Sequence, residues 1–310
     1  MALPLLLLAA CGPGSISNAI FAEDALFLDA LPAEERHTLS VESAVRRAPT
    51  ATSDVAALPA DAPELLRMSA VIAGEGNAGV RAVLGLVDVV RQARPTRRDV
   101  DLRAWGPWPW GGATVEAQVQ RNGPGTFDWR FVALGAGVEH VIIAGDHVAG
   151  DTVAAGDGGF VYDAAAAAAA VGEVDHGRAT IDYDNRIGTD LIVWYTDLVD
   201  DAGAPAPDSA YAFRSIDGEG DFQYATQLDV EWDASAALVD ARARTRWIDG
   251  VGGRADAVLS GGGFDADFTW TQCWDAYGAL TFEGDSLRIR PPTGDEGACT
   301  WTDFATVDRL

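Results

Sequence analysis

The chain has 310 residues, 48% of them hydrophobic, enough for one large domain or two small ones with a substantial core. It carries 47 acidic residues against 22 basic ones, all of them arginine, for a formal net charge of −25. Residues 11–104 hold 13 acids and 10 arginines, residues 105–310 hold 34 and 12, so the excess lies in the second part; a surface this acidic repels nucleic acid and anionic head groups, which argues against a nucleic-acid partner.

An apolar run from Leu3 closes on Leu8-Ala9-Ala10-Cys11, which resembles the lipobox of bacterial lipoproteins. The resemblance implies a signal peptide over 1–10, acyl chains on Cys11 that hold the exported protein to a membrane, and a tether over 11–16. Gly12 rather than Asp after the cysteine points to the outer membrane, with the body facing the periplasm or the cell surface. The run is far shorter than the roughly 20 residues of a spanning helix, and no later run is expected to reach that length. Acylation of Cys11 leaves Cys273 and Cys299 as an even pair, expected to form a disulfide in an oxidising compartment. The alternative is two separate buried thiols; without Cys-x-x-Cys or paired histidines nearby, a metal site is disfavoured.

Residues 17–98 read as a helical N-terminal region. Ser17 or Asn18 can cap a helix whose Ile20, Phe21, Phe27, Leu28 and Leu31 share one face, with Pro32 as its stop. A further short helix is expected within 38–47, and 49–63 reads as loop. From Pro63 to Arg94 the period is helical again, with Val80, Val83, Leu84, Val87 and Val90 as a core-facing stripe. Gly74-Glu75-Gly76-Asn77-Ala78-Gly79 matches Gly-x-Gly-x-x-Gly, but no strand–helix alternation follows and Glu75 would sit beside any phosphate. The preferred reading is a glycine-rich break between two helices, capped by Asn77.

Over 99–310 the period becomes two, as in half-buried strands. Ala113, Val115, Ala117 and Val119 alternate with polar residues, Asn122-Gly123-Pro124-Gly125 turns the chain, and Phe127, Trp129 and Phe131 return. Ala164–Ala170 is a short helix between strands, and Leu191–Tyr195 is apolar on both faces. The firmest hairpin pairs Phe222–Trp232 with Ala237–Trp247, with arginines expected opposite Asp229, Glu231 or Gln227. Eleven to thirteen strands with regular turn signals define an α+β fold: a large antiparallel β meander, half-barrel or barrel-like, with the N-terminal helices packed on its apolar face.

Gly252-Gly253-Arg254-Ala255-Asp256 and Cys273-Trp274-Asp275, with Trp247 upstream, resemble uncharacterised envelope lipoproteins of Gram-negative soil bacteria. That resemblance implies a location and no chemistry. Motifs for a nucleophilic serine, a zinc protease or a phosphate loop are absent from the sequence, and no cofactor is expected. His140 and His147 lie an odd number apart, so an unbroken strand would place them on opposite faces and no His metal site is expected. The acidic clusters Asp182, Asp184, Asp190 and Asp217, Glu219, Asp221 lack calcium-loop spacing and read as solvated loops.

The expected function is a lipid-anchored, non-enzymatic binding or structural module, its partners the membrane and either another envelope protein or a hydrophobic small molecule. A second reading makes it a carrier or sensor of a hydrophobic ligand held by Phe222, Tyr224, Trp232, Trp247, Phe268 and Trp270 on the concave face. A third, a carboxylate-dyad hydrolase, needs two acids 5–10 Å apart in a cleft, a range of about that size being typical of glycosidases.

Overall fold

The structure is a computed structural model, described here over residues 19–45, 58–59, 61–199, 203–230, 237–262 and 265–310. The signal peptide, Cys11, the tether, the helix cap at Ser17 or Asn18, the end of the short helix over 38–47, most of the loop over 49–63 and Trp232 lie outside the described residues.

Strands follow one another as antiparallel neighbours in chain order: β1 Arg97–Arg98, β2 Leu102–Trp110, β3 Ala113–Gly123, β4 Thr126–Gly135, β5 Val138–Thr152, β6 Ala155–Asp163, β7 Arg178–Asp184 and β8 Thr189–Thr196. The meander continues through β9 Ser209–Ile216, β10 Glu219–Val230, β11 Ala237–Ile248, β12 Gly252–Gly261, β13 Phe268–Asp275, β14 Leu280–Asp285 and β15 Thr293–Gly294. The sheet is not closed. Its two edges are two-residue strands, too short to template pairing with another chain.

The helices are α1 Ala19–Asp29, α2 Glu34–His37, α3 Glu64–Arg91 and α4 Ala164–Val171. A 3-10 turn at Val41–Ala44 stands within the short helix expected over 38–47. The polyalanine helix α4 starts on the Asp163 carboxylate, which accepts from the Ala166 amide at 2.9 Å, and ends on left-handed Gly172. Buried Asp24 fastens α1 to the sheet by accepting from Arg103 Nε at 2.7 Å and Arg98 Nε at 3.0 Å. Burial alone would raise the Asp24 pKa; those two hydrogen bonds and charges outweigh it and hold the carboxyl below its usual range.

The expected glycine break in 63–94 is absent: α3 runs uninterrupted through Gly74, Gly76 and Gly79. Two of these glycines exist for the sheet. A Cβ on Gly76 would stand 2.7 Å from the Tyr211 ring, and one on Gly79 would stand 2.5 Å from the Tyr195 hydroxyl. Their absence lets the helix lie directly on β8 and β9, and this tight packing outweighs the weak helix propensity of glycine. Asn77 caps nothing; its side chain accepts from the Leu39 amide at 2.7 Å and donates to the Leu39 carbonyl at 2.8 Å. By length and composition α3 could cross a membrane, but here Leu66, Ala73, Val80, Leu84, Val87 and Val90 are buried against the rest of the chain.

The helix crosses the inner face from β13 to β8. At its start the Leu65 amide donates to Gln272 Oε1 at 2.8 Å; one turn on, the Ser69 and Thr245 hydroxyls meet at 2.6 Å. Beneath it the inward rows of β3, β4, β7, β8, β9 and β10 supply Val119, Phe131, Ile181, Leu191, Tyr211 and Phe222 to one continuous core. Each fully buried large apolar side chain of this kind is worth roughly 1.5–3 kcal/mol.

Candidate functional site

The aromatic residues read as a ligand face lie on the inner side of β10–β13. Phe222 and Trp247 are fully buried in the core, Tyr224 and Trp270 pack partly buried against it, and Phe268 is half-buried at the start of β13. The apolar face they line is crossed by α3, so among the described residues these rings belong to the protein's own core.

The opposite face of the same strands is organised around charge. Cys273 and Cys299 form the expected disulfide, with Cα atoms 5.5 Å apart, and from Cys299 the last twelve residues run without regular secondary structure across the sheet. Arg254 on β12 reaches the Trp301 carbonyl at 3.2 Å, Arg246 on β11 the Asp303 carbonyl at 2.9 Å, and Arg244 on β11 the Thr306 carbonyl at 3.0 Å. Asp256 on β12 accepts from the Ala305 amide at 3.0 Å, and buried Gln223 on β10 accepts from the amides of Asp308 and Arg309 at 3.0 and 3.1 Å. Arg309 then pairs with Asp190 on β8. The tail therefore forms a strap from β13 to β8, recognised through its main chain. Hydrogen bonding from Gln223, with help from Arg244, also holds the Asp308 carboxyl below its usual range.

At the centre of the strap lies a buried ion pair. Arg254 Nε donates to both Asp256 oxygens at 3.0 and 2.9 Å; neither side chain is more than 1% exposed, and Thr271 adds a 2.8 Å bond to the same carboxylate. These residues account physically for both motifs that carried the resemblance. Arg254 and Cys273 are cross-strand partners, and a Cβ on Gly253 would stand 2.2 Å from the Trp274 ring. Gly-Gly-Arg-Ala-Asp and Cys-Trp-Asp are thus one unit that pins the tail outside and packs Trp274 inside.

Glu231 lies outside the described residues, and at the other two positions arginines do not stand where the hairpin reading put them. Gln227 opposes Asp240 and Asp229 opposes Leu238, while Arg244 and Arg246 stand opposite Gln223 and Asp221. The acidic clusters lie on β7, β8 and β10 rather than in loops, Asp217 apart, and half of their carboxylates are paired: Asp221 binds Arg244 at 2.5 Å, Asp184 binds Arg186 at 2.5 Å and Asp190 binds Arg309. Asp128 and Asp146 face each other across β4 and β5, where partial burial, reinforced by Asp128 and Asp182, raises the Asp146 carboxyl. Both lie on the exposed outer side.

The histidines also differ from expectation. A bulge between Phe131 and Val132 adds a residue to β5, so His140 and His147 oppose Ala133 and Phe127 and share the inner side, about 20 Å apart along the strand. No group of three or more His, Cys, Asp or Glu positioned for a metal occurs among the described residues. His147 instead joins a polar cluster that sequence spacing could not assemble. His37 Nδ1 donates to the Ala33 carbonyl at 2.7 Å, and its ring stands edge-on to Tyr183 at 4.6 Å. The Tyr183 hydroxyl donates to His147 Nδ1 at 2.9 Å, and His147 Nε2 donates to the Val153 carbonyl at 2.6 Å. Burial keeps both imidazoles neutral, lowering the His37 pKa to about 4 and that of His147 in the same direction, and it pushes the Tyr183 hydroxyl up.

No family model, curated protein or solved structure matches this chain. Fold and site together define an open antiparallel meander clad by a helix within and a disulfide-pinned strap without.

Proposed function

We propose that the chain is an exported envelope protein, anchored through acyl chains on Cys11, whose sheet serves as a non-enzymatic binding or structural module. The observation that carries this reading is the Cys273–Cys299 bridge, because disulfides persist in exported proteins and are rare in the cytosol. The ion pairing within the acidic clusters favours a structural role for them over acid–base catalysis, since three of these six carboxylates, Asp184, Asp190 and Asp221, are already engaged by arginine. Labelled palmitate should enter the wild-type protein and not a Cys11→Ala variant, and that variant should leave the membrane fraction for the soluble envelope fraction. Equal labelling of both proteins would overturn the anchor, and free thiols at Cys273 and Cys299 in protein taken directly from cells would overturn the export.

A further inference from the structure

A cavity of about 240 Å³ lies between the α1–α2 segment, the last turn of α3 and β5–β7, lined by His37, Arg91, His147, Tyr183 and Asn185 among others. Its hydrogen bonding is nearly closed. Because His37 Nδ1 is committed to the Ala33 carbonyl, the Nε2 lone pair faces Asn185 Nδ2 at 3.4 Å, which sets the orientation of that amide. Asn185 Oδ1 is consequently left without a partner, although the residue is nine-tenths buried. Leaving a buried acceptor unmet is unfavourable, and a ligand's N–H would relieve it.

Two guanidinium groups flank the same space, and both are positioned by carbonyls. Arg91 donates to the carbonyls of Leu31 and Pro32 at 2.7 and 3.3 Å, its Nε has no hydrogen-bond partner, and the Asp88 carboxylate stands 4.0 Å away. Arg36 donates to the Ala154 carbonyl and is in no ion pair among the described residues. Elsewhere in this acidic protein arginines are mostly met by carboxylates; Arg36 has none among the described residues and Arg91 only Asp88 at the 4.0 Å limit, so the two are placed to receive an anion from outside. Exposed Asp29 and Glu35 also line the cavity, favouring a ligand with a cationic end over a multiply charged anion such as phosphate.

We propose that this cavity binds a small aminocarboxylate, its carboxylate taken by Arg36 and Arg91 and its ammonium by Asn185 Oδ1 with Asp29 and Glu35 outside it. The inference gives the binding module a ligand class and rests on that reading only for where the ligand is met. Binding by purified protein is therefore tested independently of acylation.

The experiment is calorimetric titration of the full-length protein at pH 7 with L-serine and glycine, and in separate arms with acetate, ethylamine and inorganic phosphate. Serine or glycine should bind saturably in the millimolar range or tighter, with acetate and ethylamine about tenfold weaker, as expected for losing one charge-assisted contact. Arg36→Gln should weaken serine about tenfold, and Arg91→Gln likewise. Because Arg91 also holds the chain at Leu31 and Pro32, Arg36→Gln decides the matter if that variant fails to fold. Asn185→Ala should weaken serine while leaving acetate unchanged, a split that general loosening of the fold would not produce. Absence of saturable binding by the wild-type protein, serine binding unchanged in Arg36→Gln, or phosphate binding as well as serine would each overturn the proposal.

Discussion

Strands β8–β13 are covered twice, and the two covers are built from opposite chemistry. On the inner face α3 rests on Tyr195, Tyr211 and the neutral Ser69–Thr245 and Leu65–Gln272 hydrogen bonds, with glycines where rings come close. On the outer face the tail is held by Arg244, Arg246, Arg254 and Asp256 reaching main-chain atoms, by side-chain ion pairs at Asp303, Asp308 and Arg309, and by the neutral Gln223. Apolar packing is non-directional and tolerates any residue of suitable shape, whereas the strap depends on a few groups that cannot be left unpaired. Single substitutions should therefore damage the two faces by different mechanisms.

A large effect is expected on the outer face. Arg254→Met removes the nearest cation from the buried Asp256 carboxylate, leaving Arg246 at 3.9 Å, and should lower unfolding stability in urea by about 3 kcal/mol, while Arg254→Met combined with Asp256→Leu should recover part of it. A double variant as unstable as the single one would show that the pair matters for its main-chain contacts to the tail rather than for charge balance.

On the inner side the corresponding weakness is protonation. The native His37 pKa is about 4 against an ordinary 6.5, so above pH 6.5 neither folded nor unfolded chain binds the proton and no penalty exists. As the pH falls from 6.5 to 4 only the unfolded chain takes it up, and stability should drop by about 3 kcal/mol across that window and level off below it. His37→Gln should flatten this part of the stability-versus-pH curve; an unchanged slope would assign the acid sensitivity elsewhere.

Cys299→Ser releases the start of the strap, whose loop of 26 residues in the disulfide corresponds to about 3 kcal/mol in the chain-entropy model. Because Arg254 holds the same segment, losses from Cys299→Ser and Arg254→Met should combine to less than their sum; strict additivity would mean that the tail stays docked without its pin. The smallest effects separate the glycines of α3. Gly76→Ala should destabilise by about 1–3 kcal/mol through overpacking on Tyr211, whereas Gly74→Ala, with open space around it, should stabilise by about 0.5–1 kcal/mol. Equal thermal shifts for the two would remove the close approach as the reason for the motif.

Much of the architecture was legible because alternation is local. The Phe222 and Trp247 rows, the Ala113–Phe131 hairpin and the Val80–Val90 stripe each announce a buried face within a dozen residues. The candidate sites were less legible. The aromatic rows marked a buried face without saying that α3 would cover it, and the cluster around His37 joins residues from α2, α3, β5 and the β7–β8 connection that share no spacing. His140 and His147 misled because one bulge, created by pairing with β4, reverses the parity that counting along β5 supplies.

What the chain determined by itself was the succession of strands and helices and the acidic balance, since periods of 2 and 3.6 are written between near neighbours. Tertiary structure alone decided the hairpin register, the reason for Gly76 and Gly79, and the role of Arg254. Each of these depends on a partner far away in sequence, such as Tyr211 for Gly76 or Trp301 for Arg254, and only the folded sheet brings those atoms together.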